Sequence, residues 1–94
     1  MNAQDLVLNI AVNLGRISRW AQEGKEKRIK QFLAETQIYL DELEKVPRSR
    51  KFEKTYQNFK TKFANLKNKV DLDEVWAEEM LTWANILTHR AKLA

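Results

Sequence analysis

The chain carries one imidazole, His89, and no thiol. A lone histidine moves a proton or holds a metal only with partners, and the sequence places none beside it. No Glu-x-x-His pair occurs, so the carboxylate-bridged metal centre of some helical bundles has no ligand set here. Glu78 and Glu79 are consecutive, and on a helix such neighbours diverge by about 100° instead of converging on a substrate. There is no Ser/His/Asp set, no phosphate-binding glycine loop and no dinucleotide fingerprint. From these residues we expect no enzyme: no catalytic or cofactor-binding residue, no metal site and no small-molecule substrate.

The remaining side chains with chemical potential are basic and aromatic. The stretch RSRKFEKTYQNFKTKF, Arg48 to Phe63, mixes six basic residues with four aromatics. A platform for single-stranded nucleic acid needs its aromatic faces exposed beside the cations. Here Phe52, Tyr56, Phe59 and Phe63, continued by Leu66 and Val70, recur at spacings of four and three. All therefore fall within ~40° of one helical line. Lys51, Lys62 and Lys69 lie on one flank of that line, Lys60 and Lys67 on the other, and Lys54 points away. The spacing predicts a buried aromatic stripe between solvated flanks. Trp76 and Trp83, seven apart with Met80 between them, read the same way, and with Trp20 they are assigned to the core rather than to a ligand pocket.

The stripe does not absorb RSRK. Arg50, Lys51 and Lys54 fall in the first turns of a helix, with Arg48 just before it. Cations there oppose the helix dipole, at about 0.3–1 kcal/mol each. Either they answer Asp41, Glu42 and Glu44 across the Pro47 turn, or they hold an anion at a serine-capped helix start. The first is favoured. The second makes Arg48, Arg50, Lys51 and Lys54, joined by Lys25, Lys27, Arg28 and Lys30, a candidate surface for nucleic acid or another polyanion.

The elements that position these residues follow from periodicity and punctuation. Two glycines and one proline leave little material for tight turns, so long helices are the default. Leu6, Ile10, Leu14, Ile17 and Ala21 form one stripe; Ile29, Phe32, Leu33, Thr36, Leu40 and Leu43 form a second, out of phase with the first. The phase break predicts a turn or strong kink at Gly24, with the glycine at the position just after the helix. Val46-Pro47 ends the second segment and Ser49 caps the third. Asp71, with Glu74 three residues on and Val70 facing Val75, is the expected start of the fourth. Its stripe is Leu72, Trp76, Met80, Trp83, Leu87, Arg90 or Ala91, and Ala94. Residues 1–94 thus form a single all-α domain, an antiparallel up-down-up-down four-helix bundle with helices at about 3–23, 25–46, 49–69 and 72–93.

Charge is segregated along the chain. Residues 45–70 hold nine basic groups and one acidic group, while residues 71–94 hold two basic and five acidic. Folding brings the two segments side by side, with Lys62 and Glu79 the kind of flank pair that meets. The apolar residues that exceed one stripe point to function. Leu8 and Val12 lie opposite the Ile10 line, with Gly15 beyond them; Val75, Ile86 and Leu93 form a flank on the fourth helix. A helix apolar nearly all round is buried centrally or engaged with a partner. The reading is a non-enzymatic protein-interaction module, self-associating as a homodimer through Leu8, Val12, Gly15, Val75, Ile86 and Leu93. No membrane partner is expected. A location in the cytoplasm is expected: the absence of cysteine is compatible with it, the N-terminal run makes a poor leader, and no run is long enough to span a bilayer.

Overall fold

The computed structural model describes residues 1–94 as four helices joined by short turns. They are α1 (Ala3–Gln22), α2 (Glu26–Lys45), α3 (Arg50–Asn68) and α4 (Glu74–Arg90), the last running into a 3-10 turn at Ala91–Leu93. Asn2 caps α1 by accepting the Asp5 N–H at 2.9 Å, a start that the stripe alone did not mark.

Each turn has a physical cause. After α1, Gly24 adopts φ +71°, a left-handed conformation that side-chain-bearing residues avoid. The Gly24 N–H then reaches Ala21 O at 3.3 Å and the Lys25 N–H reaches Trp20 O at 3.0 Å. This pair of reversed bonds closes off the last carbonyls of the helix. The phase break is therefore a turn and not a kink. At the second turn Ser49 Oγ accepts from the Lys51 N–H, as its position predicts.

The start of α4 departs from expectation. Asp73, not Asp71, is the cap, accepting the Trp76 N–H at 2.8 Å. Val70 and Val75 are both exposed, so no apolar clasp forms between them. The reason lies in Trp76. Its indole N–H donates to Leu66 O at 3.1 Å, satisfying a last-turn carbonyl of α3, while its ring is buried in the core. Starting α4 two residues late leaves the chain free to bring Trp76 there, and Leu72 packs against the core from the connecting segment.

Side-chain bonds fix the arrangement of neighbours. Ser18 Oγ donates to Ala77 O and Gln4 Nε2 to Lys92 O, so α1 and α4 run antiparallel. Trp20 meets Phe32 and Asn13 meets Glu35 between α1 and α2. Lys60 reaches Glu44 and Lys67 reaches Gln37 between α2 and α3. Phe59 packs on Trp83, and Lys62 pairs with Glu79 at 2.8 Å, between α3 and α4. The result is the up-down-up-down bundle, with α1 diagonal to α3.

One core of 24 buried apolar residues fills it, and nine of them come from α1. The backbone of α1 packs closest to those of α4 and α2. Alanine, serine and asparagine on the sides of α1 permit that approach, whereas Phe52, Tyr56, Phe59 and Phe63 hold α3 further out. All four rings are buried, as the stripe predicts. No helix is long and apolar enough to cross a membrane.

Candidate functional site

The four residues of the basic helix start do not act together. Arg48 is consumed by the fold. Its Nε and Nη2 each lie 3.0 Å from the Glu53 carboxylate, a two-pronged ion pair. Nη1 donates to Leu43 O at 2.6 Å and Glu44 O at 3.2 Å, and the guanidinium lies 4.1 Å from the centre of the Tyr56 ring. Arg48 thus caps the C-terminal carbonyls of α2 and is no free anion ligand. The expected answer to Asp41, Glu42 and Glu44 is only partly right: the acceptors are carbonyls of α2, and the carboxylate is Glu53 on α3 itself. This environment holds the Glu53 carboxyl below its ordinary range, first through the bond from Arg48 and then through Gln57; Arg48 is raised in turn by Glu53.

Arg50, Lys51 and Lys54 stay exposed. Lys51 and Lys54 line one wall of a cleft of about 440 Å³ between α3 and α4, with Thr55 and Asn58. The other wall is Trp83, Ile86 and Arg90. Of Arg90 and Ala91, either of which fits the stripe of the fourth helix, Ala91 takes the core position, and Arg90 Nη1 donates to Thr55 Oγ1 at 3.3 Å. The basic group at Lys25, Lys27, Arg28 and Lys30 does not join this cluster. It sits at the start of α2, a helix length of about 30 Å from the start of α3. Within it, Lys25 pairs with Glu23 at 2.9 Å and lowers the Glu23 carboxyl, while Arg28 lies over the Trp20 ring.

The outward face of α1 is a second surface. Leu8 is 43% exposed and Val12 51%, although Val7 and Ala11 beside them are buried against α4. Gly15 continues the line, and a Cβ built there would meet nothing within 4 Å. The glycine therefore serves no close contact inside the monomer. Asp5 and Arg19, both exposed, bracket the line at its two ends. The other three residues expected at an interface lie elsewhere. Val75, 67% exposed, and Ile86 border the groove between α3 and α4, and Leu93 is half-buried in the final 3-10 turn. On α4 the exposed apolar residue Leu81 is brought level with Gly15 by the antiparallel register.

A further apolar surface lies between α2 and α3. Ile38 and Val70 are exposed and, with Leu33 and Ala34, line a shallow cleft of about 550 Å³ between α2 and α3, rimmed by Lys30, Gln37 and Lys67. Ile38 stands outside the α2 stripe, and Val70 lies past the end of α3, so neither marks a surface by periodicity alone. His89 is exposed, and no three histidine, aspartate or glutamate side chains gather where they could share a metal ion.

Comparison of the chain with family models, with curated proteins and with solved structures finds no match in any of the three. The class it belongs to is therefore set by its architecture, an antiparallel four-helix bundle. Its distinguishing surfaces are the apolar line on α1 and the basic cleft between α3 and α4.

Proposed function

We propose that the protein is a small, non-enzymatic interaction module of the cytoplasm that pairs with a second copy of itself through the outward face of α1. The observation that carries this reading is the exposure of Leu8 and Val12 on the helix that supplies more of the core than any other. A solvent face on such a helix has no structural need of leucine and valine in line with a glycine.

The charges on this face favour a second copy over an unrelated partner. From α1 to its C-cap the outward residues include Asp5, Leu8, Val12, Gly15, Arg16, Arg19 and Glu23. Two such helices laid antiparallel about a two-fold axis at Val12 set Asp5 of each copy opposite Arg19 of the other. Leu8 of each copy then enters the hole bounded by Val12, Gly15, Arg16 and Arg19, where the missing side chain of Gly15 leaves room. A surface that complements itself in charge and shape is what a two-fold dimer requires. Leu81 extends the apolar strip from the neighbouring helix.

Sedimentation equilibrium tests the reading. The wild-type chain is expected to approach twice its monomer mass as concentration rises, and Val12→Lys to remain monomeric with unchanged helix content. A wild-type chain that stays monomeric throughout refutes self-association.

A further inference from the structure

We infer that the cleft between α3 and α4 binds a nucleotide unit, its phosphate on Lys51, Lys54 and Arg90 and its base against Trp83 and Ile86. The inference is independent of the dimer. Three cations from two helices line this one cleft, and no acidic side chain lines it with them. None of the three has a carboxylate within 4 Å, whereas Lys60 and Lys62 of the same helix α3 are paired with Glu44 and Glu79. Lys51 and Lys54 also sit in the first turns of α3, where the helix dipole disfavours cations and favours an anion. Arg48, the one basic residue there with a full set of partners, turns away toward α2. What remains is positive potential with no internal counter-charge, a local cost that a bound anion would relieve.

The cleft asks for more than a bare anion. Trp83 is the one half-buried tryptophan; Trp20 and Trp76 are buried. With Ile86 it gives the cleft an apolar wall beside the cations, and Thr55 and Asn58 add hydrogen-bonding groups at its α3 side. Phosphate and planar ring together match that division of an open groove between the two helices. A free nucleotide and a single-stranded nucleic acid both carry this chemistry.

Fluorescence titration separates the possibilities, since Trp83 is the tryptophan placed to respond. ATP, adenosine and tripolyphosphate are each added to the full chain, and a labelled oligothymidylate is followed by anisotropy. ATP, the oligonucleotide or both are expected to bind, adenosine not to bind, and tripolyphosphate to bind more weakly than ATP. The Lys51→Ala/Lys54→Ala variant should weaken binding roughly tenfold, and added salt should weaken it further. Neither lysine side chain makes a hydrogen bond or ion pair within the protein, so the variant keeps its fold, which its melting curve verifies. Saturation by ATP as tight as by the oligonucleotide assigns the site to free nucleotides; binding by the oligonucleotide alone assigns it to nucleic acid. Absence of binding by both overturns the inference. So does binding that the double substitution leaves unchanged, or tripolyphosphate binding as tightly as ATP.

Discussion

At the scale of single residues, Arg48 is the most consequential side chain outside the core. It joins the end of α2, the start of α3 and the face of Tyr56 through one guanidinium. Arg48→Ala is predicted to cost about 2 kcal/mol in denaturant unfolding, since it strands both carbonyls and a carboxylate. Arg50→Ala, two residues on and exposed, should change stability by less than about 0.5 kcal/mol. The pair also gives acid sensitivity with a definite sign. Glu53 is depressed below its ordinary value of 4.5, so its contribution is complete above that value and is lost as pH falls through the lowered one. Glu53→Gln should lower the melting temperature at neutral pH and flatten its decline in acid. Tyr56 carries the reverse lesson: it is 1% exposed and its hydroxyl is buried with no hydrogen-bond partner. Tyr56→Phe removes that unpaired group and is expected to leave the melting temperature unchanged or raise it. The burial of Tyr56 was legible in its spacing, but the partners of Arg48 and the unpaired Tyr56 hydroxyl were not. The basic cluster was visible, but its acceptors are backbone carbonyls, and a sequence does not display those.

At the scale of the elements, the stripes located every helix to within a few residues. The first two turns, at Gly24 and at Pro47-Ser49, form where expected because each of these residues is committed by its own backbone or side-chain chemistry. The third differs in detail. Asp71 and Asp73 are both able to cap, and the acidic pattern does not choose between them. The choice is made by a long-range bond from Trp76 to Leu66 O, which closes the gap between α3 and α4. Asp73→Ala is therefore predicted to cost about 1 kcal/mol, and Asp71→Ala to be close to neutral. Thermal melts of the two variants, side by side, distinguish the two caps. Equal losses from both substitutions would contradict the assignment.

At the scale of the whole molecule, the segregated charge of the chain largely disappears on folding. The basic α3 lies against the acidic ends of α2 and α4, and Lys62 meets Glu79 as the antiparallel register predicts. The excess apolarity of α1 was legible as well, and its cause divides in two. Val7 and Ala11 are spent on close packing with α4, while Leu8 and Val12 remain outside. The link between this line and Val75 and Ile86 could not be judged from helix-wheel positions alone, because it depends on which side of α4 faces α1. The central claim is that α1 meets a second α1 antiparallel across Val12, and a charge exchange tests it most directly. Sedimentation mass is measured for the wild type, Asp5→Arg, Arg19→Asp and the double exchange at one concentration and low salt. A dimer is predicted for the wild type, roughly tenfold weaker association for each single reversal, and recovery in the double exchange. A wild-type monomer, or single reversals that leave the dimer untouched, would contradict it.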